Sequence, residues 1–303
     1  DFFFFFIYAD KDSNPAGYAA DNVPYHPKRF LPISLKGVEE GDFTMVYGFP
    51  GATNEHLTEA AVRQIGEVLD PAKVSIRDRA LKIMAGYMRK DPAVKIAYVA
   101  RYASIANAWK KWLGEMQGLK TYHAFDKKKE YEAAFTTRIE QNPDWKYRYG
   151  NLLPRLRKLY EDIEPYAFAR DYYLETMVRN NEILGLASSL SGWIGTYEKN
   201  GEAFFVSKQK DATSGLPDFY KDYRPEVDQT ILAAMLEMFA EHVRPEWGAS
   251  DVQAMAKEKG GFEALAADVF KNSALTSQAK INAVLAKKPA DIVETIKNDP
   301  AYK

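Results

Sequence analysis

Residues 91–112 read DPAVKIAYVARYASIANAWKKW, and this stretch decides the class of fold. Asp91 places a side-chain acceptor directly before Pro92, and proline at a first helical position loses nothing because that N–H has no intrahelical partner. Val94, Tyr98, Tyr102, Ile105, Trp109 and Trp112 then recur at spacings of three or four, which puts them on one face of a helix. Asn107 stands off that stripe, with Ala100, Ala103 and Ser104 at neighbouring helical positions. Small neighbours leave room for a group to approach its amide, although an exposed helix asparagine without a task fits the same pattern.

The same signals recur on both sides. Asp70-Pro71 and Asn142-Pro143 read as two more capped helix starts, and Val74, Leu81, Met84 and Met88 form a stripe after the first. Further helices are expected around 120–141, 145–163, 166–197, 225–243, 251–259, 262–271 and 276–285. The interval 200–216, with Asn200-Gly201, Ser214-Gly215 and Leu216-Pro217, reads as an exposed loop or short hairpin. Toward the amino end the texture differs. Apolar runs Phe2–Tyr8, Phe30–Leu35 and Phe43–Phe49 are separated by Asn14-Pro15, Asn22-Val23-Pro24, His26-Pro27 and Glu39-Glu40-Gly41-Asp42, the pattern of short strands between turns. Three strands alone would leave open edges and an uncovered apolar face. The expected class is therefore α+β, mainly α, with a β portion over residues 1–52 and a large helical domain over 53–303.

Charge and composition exclude several functions. The 303 residues carry 41 Lys+Arg against 42 Asp+Glu, a net charge of -1, so no excess of positive charge marks the chain for nucleic acid. There is no cysteine, which removes disulfides, thiol nucleophiles and Cys-based zinc sites together. No apolar run approaches the roughly 18 residues that read as a membrane span. Phe2–Tyr8 follows Asp1 without a basic flank and runs into Ala9-Asp10-Lys11-Asp12, so a buried strand fits it better than a signal-peptide core. A first residue of Asp rather than Met is read as part of a longer protein or a processed product.

Most constellations have an ordinary explanation. His26, His56, His123 and His242 are scattered, and no two stand at the i, i+4 spacing of a zinc helix, so neither metal nor other cofactor is expected. Gly48-Phe49-Pro50-Gly51 is a turn and lacks the Lys-Ser/Thr of a phosphate loop. Lys127-Lys128-Lys129, followed by Glu130 and Glu132, reads as a solvated helix face. Trp109, Trp112, Trp145, Tyr166, Tyr172 and Tyr173 read first as core. Asp1 heads a run of five phenylalanines. A carboxylate buried there would need a partner such as a histidine, and an exposed terminal residue would need none.

Several segments, in order, resemble the bacterial dipeptidyl peptidases of types 7 and 11, serine exopeptidases with a chymotrypsin-like fold and a helical insertion. They are Ile7-Tyr8-Ala9-Asp10-Lys11, Asp21-Asn22-Val23-Pro24-Tyr25, Phe30-Leu31-Pro32-Ile33-Ser34-Leu35-Lys36-Gly37 and Gly41-Asp42-Phe43-Thr44-Met45-Val46 with Gly48-Phe49-Pro50-Gly51. Ile105-Ala106-Asn107-Ala108-Trp109-Lys110-Lys111-Trp112 and, more weakly, Tyr220-Lys221-Asp222-Tyr223 extend the likeness over most of the chain.

The resemblance implies that residues 1–52 are part of a chymotrypsin-like β-barrel and that the helices form a cap. It implies that Asp1 is the acid of a Ser-His-Asp triad, accepting the Nδ1 proton of the histidine in a hydrogen bond. Phe3 and Phe6 stand where the family pattern has Ser and Arg. It also implies that Asn107 binds the free amino terminus of an oligopeptide substrate. The family's histidine precedes the position of Asp1 and its serine follows the helical insertion, so these 303 residues alone are expected to be inactive. A periplasmic location and a homodimer follow from the resemblance as well. The alternative is a non-catalytic helical peptide-binding or scaffold module.

Overall fold

A computed structural model describes residues 6–45, 47–48, 52, 54 and 56–303, and 74% of the described residues are helical. The chain divides into two units, Asp1–Thr53 and Asn54–Lys303. Two of the proline-marked starts are capped as their residue types require. Asp91 accepts from the Ala93 N–H, and Asn142 accepts from the N–H groups of Asp144 and Trp145.

In the first unit the secondary structure among described residues is one small antiparallel sheet. Strand β1 (Tyr8–Ala9) pairs with β2 (Val23–Pro24) in the register Tyr8 to Pro24 and Ala9 to Val23, and Tyr25 N–H extends it to the Ile7 carbonyl at 2.8 Å. Asp10 ties the turn by accepting from the N–H groups of Asp12 and Asn14. The expected chymotrypsin-like barrel is absent among the described residues, and the α+β reading is corrected to a mainly helical chain. Runs 30–35 and 43–49 do not form strands in their described part, and Leu35 and Phe43 are 95% and 90% exposed. The reason is that a strand is stable only when a neighbour takes its N–H and C=O groups, and these runs find no such neighbour among the described residues. Residues 1–5 of the expected first strand lie outside the described residues.

The secondary structure among the described residues of the second unit is all helical. It begins with α1 (Glu59–Gln64), which passes through a π-helical turn at Ile65–Leu69 into α2 (Asp70–Lys90). Asp70 is thus inside a continuous helical run rather than a cap. It is 1% exposed and paired with Lys73 at 2.8 Å, and burial raises its pKa against the pull of that ammonium. Next come α3 (Pro92–Thr121), α4 (Ala124–Glu140), α5 (Pro143–Tyr149) and α6 (Leu152–Tyr173), the last leading into a second π turn at Leu174–Arg179. Then follow α7 (Glu182–Asn200), α8 (Glu202–Thr213), α9 (Leu216–Asp222) and α10 (Pro225–His242). The chain continues with α11 (Ala249–Lys259), α12 (Phe262–Asn272), α13 (Gln278–Leu285) and α14 (Pro289–Lys297).

The interval expected as a loop or hairpin is therefore helical. Its Gly and Pro pairs mark helix ends: Gly201, at φ 82, separates α7 from α8, and Pro217 lies in the first turn of α9. Phe205 of α8 is wholly buried, stacks on Trp193 at 4.3 Å and accepts that indole N–H through its carbonyl.

Two apolar cores share α10. Val227, Ile231 and Met235 face one made with Ile76, Met84, Tyr98, Ile105 and Tyr172. Leu232 and Leu236 face the other, made with Ile183, Leu190, Phe205, Leu275 and Ile296. A helix apolar on two adjacent faces belongs at the centre of its unit.

Candidate functional site

Helix α3 turns one face inward and one outward, as its stripe requires. Tyr98, Ile105 and Ala106 are buried, while Ala100, Ala103, Ser104 and Asn107 are exposed. Ile96, 78% exposed, and Val99 extend the outer face toward the helix start. Asn107 therefore presents its amide from a helix of 30 residues, beside small side chains. An amide oxygen accepts hydrogen bonds and its NH₂ donates them, so such a group can orient either an ammonium or a carbonyl.

What holds that helix is charged and buried. Arg77 of α2, 7% exposed, donates to Glu175 Oε2 at 2.7 Å and to Oε1 at 3.3 Å. Its Nη1 also donates to the backbone carbonyl of Ile105 at 3.2 Å, and its guanidinium lies 4.7 Å from the centre of the Trp112 ring. Lys73 Nζ lies 4.5 Å from the same ring. Glu175, in the second π turn, also receives Arg179 at 2.9 Å and the side-chain amide of Asn180 at 3.2 Å. One buried carboxylate is therefore matched by two guanidinium groups and an amide, the condition under which burying charge is tolerable.

A second buried network ties α3 to α7 and α10. The Tyr98 hydroxyl donates to Glu182, whose carboxylate also lies 3.7 Å from Arg101. Asp228 caps α7 from the side, accepting from Glu182 N–H at 2.7 Å, Ile183 N–H at 2.9 Å and the Tyr223 hydroxyl at 3.2 Å. Burial, then the Glu182 carboxylate, pushes the Asp228 pKa up to about 7, against the pull of those N–H groups and Arg101. Burial likewise holds the Tyr98 and Tyr223 hydroxyls above their ordinary range, with Glu182 and Asp228 adding to it.

Of the residues expected at a site, Asn107 is on the surface of α3, and Asp1 lies outside the described residues. The histidines keep their ordinary explanation where their contacts are described: His242 bonds the Met238 carbonyl through Nδ1 at 3.0 Å and stacks on Tyr172, and His123 is 3.9 Å from Asp126 at the exposed start of α4. Ser191 donates to the Ser188 carbonyl at 2.6 Å. Arg77, Glu175, Glu182 and Asp228 were not singled out in the sequence. Arg77 alone had a legible signal, since it fills the helical position between Val74 and Leu81 where the apolar stripe of α2 skips.

Comparison with known proteins adds the family. A family model described as Peptidase S46 matches residues 1–303. The Asp/Glu-specific dipeptidyl-peptidase of Capnocytophaga gingivalis is 41% identical over 99% of this chain and 41% of its own length. The dipeptidyl-peptidase 7 of Porphyromonas endodontalis is 33% identical over 99% of this chain and 36% of its own length. The chain thus spans about two-fifths of the curated relatives it matches. The crystal structure of Porphyromonas endodontalis DPP11 in complex with the dipeptide Arg-Glu superposes with a TM-score of 0.69 at 24% identity, over 98% of this chain and 42% of that one. That likeness concerns the fold.

Proposed function

Because the chain belongs to the peptidase S46 family, we propose that it is a segment of a serine dipeptidyl peptidase that releases dipeptides from the free amino ends of oligopeptides. The observation that carries this reading is the family match along all of residues 1–303, together with relatives named dipeptidyl-peptidases over 99% of the chain. The DPP11 crystallised with Arg-Glu supports a peptide as the ligand class.

In this reading Asn107 accepts a hydrogen bond from the substrate's terminal ammonium. Only a chain end presents that group, so the contact makes the site count residues from the end rather than cleave internally. Exposure of Asn107 on α3, among small neighbours, supports the role because the amide is open to a ligand. Asp1 accepts the Nδ1–H of a histidine, keeps the other ring nitrogen ready to take the serine proton and stabilises the imidazolium that results. The serine attacks the peptide carbonyl after the second residue, and the leaving amine takes the proton from the imidazolium. Water then repeats the sequence on the acyl-enzyme. The histidine and serine belong to the part of the family's length that these residues do not span, so the 303-residue chain by itself is inactive. A periplasmic location and a homodimer belong to the same proposal and rest on the family alone.

The test is hydrolysis by the full-length protein of dipeptidyl reporter substrates, with acidic and with apolar second residues, each with a free or an acetylated amino end. Free-amine substrates turn over, and acetylation slows turnover by about 10²-fold or more. Equal cleavage of the acetylated forms contradicts terminal-amine recognition.

A further inference from the structure

Arg77 touches α3 on both sides of Asn107. Its Nη1 meets the Ile105 carbonyl, two residues before Asn107, and its guanidinium stacks on the ring of Trp112, five residues after it. In a helix the Ile105 carbonyl already belongs to the N–H four residues on, so the Arg77 contact is an addition to the helical ladder. Glu175 in turn fixes the guanidinium through both carboxylate oxygens, and Arg179 and Asn180 fix Glu175. A buried ion pair adds little to stability compared with an apolar pair of the same volume, but its fork admits one geometry.

We propose that Arg77, held by Glu175, is a positioning residue that sets the rotation and height of α3 and thereby the place of the Asn107 amide against the substrate's terminal nitrogen. The inference rests on the reading of Asn107 as the amine-binding residue. It assigns to a buried pair, remote from solvent, an effect on substrate affinity. Displacing a binding group by on the order of 1 Å can cost about 10²-fold in an oriented site. Lysine in place of Arg77 keeps a positive charge beside Glu175 but is a single-point donor, unable to bridge Glu175, the Ile105 carbonyl and the Trp112 face together.

The experiment is a cycle in the full-length protein with Arg77→Lys, Asn107→Ala and the double variant, measuring KM and kcat on a free-amine dipeptidyl substrate, with melting curves for each. KM does not depend on the folded fraction, so partial misfolding does not imitate the effect. Arg77→Lys should keep its melting temperature close to the parent's and raise KM about tenfold with a smaller change in kcat, because a ground-state contact is lost. In the Asn107→Ala background the same change should alter KM less than about twofold, since the contact it positions is already gone. If Asn107→Ala raises KM and Arg77→Lys does not, or if the two effects multiply, Arg77 is only structural and this inference falls alone. If Asn107→Ala leaves KM unchanged, the reading of Asn107 falls and takes the inference with it.

Discussion

Asp228 shows how one side chain can serve the fold at an electrostatic cost. It is wholly buried, takes two N–H groups at the start of α7, and faces Glu182, Tyr98, Tyr223 and Arg101. Its folded pKa, pushed up to about 7, lies above that of an unfolded carboxyl group near about 4. Between those values the folded state holds the proton and the unfolded chain does not, so this group's contribution to stability declines as pH rises and is lowest above the folded pKa. Asp228→Asn removes the titration and turns an NH₂ toward a backbone N–H, a loss of about 1–3 kcal/mol. Urea unfolding of the chain followed by circular dichroism should show the parent's advantage over Asp228→Asn shrinking as pH rises through that window. An advantage that grows with pH contradicts the assignment. At this scale the exposed position of Asn107 was legible because it stands off an apolar stripe, while the role given to it came from the family resemblance. Glu175 and Asp228 were not, since the partners that bury them, Arg77 and the start of α7, are 98 and 45–46 positions away, and the nearby Arg179, Asn180 and Tyr223 do not by themselves mark a buried carboxylate.

Among the elements, periodicity was the dependable signal and punctuation the ambiguous one. The stripe beginning at Val94 became α3, and Asp91 and Asn142 became caps. Asp70-Pro71 carried the same signature and is not a free start, because the preceding residues are already helical and Pro71 falls where the π turn at Ile65–Leu69 gives way to α2. Gly201 separates two helices rather than opening a loop. The break expected between residues 163 and 166 is absent: Pro165 lies inside α6, and the run ends instead after the π turn at Leu174–Arg179. That π turn meets α7 closely: a Cβ at Gly185 would stand 2.7 Å from the Val178 carbonyl oxygen. Gly185→Ala must therefore push α7 from the turn that carries Glu175, at a cost of about 1–3 kcal/mol, which thermal unfolding measures. A melting temperature equal to the parent's would show that the two elements are not held at that distance.

For the molecule as a whole, the helical unit was readable because each helix announces itself locally. The β portion was misjudged because a strand is completed by partners, and the apolar runs of residues 30–48 find none among the described residues. Family resemblance supplied the expectation of a barrel, while the described residues of this chain show a two-stranded sheet and a helical unit of 250 positions, from Asn54 to Lys303. The central claim is that this unit brings an amide on α3 to the amino end of a peptide. Its most direct test is a crystal structure of the full-length protein with a bound dipeptide. The account predicts the terminal nitrogen within about 3 Å of Asn107 Oδ1, an ordinary hydrogen bond. A dipeptide seated with its amino end on other groups and Asn107 facing only solvent would contradict it.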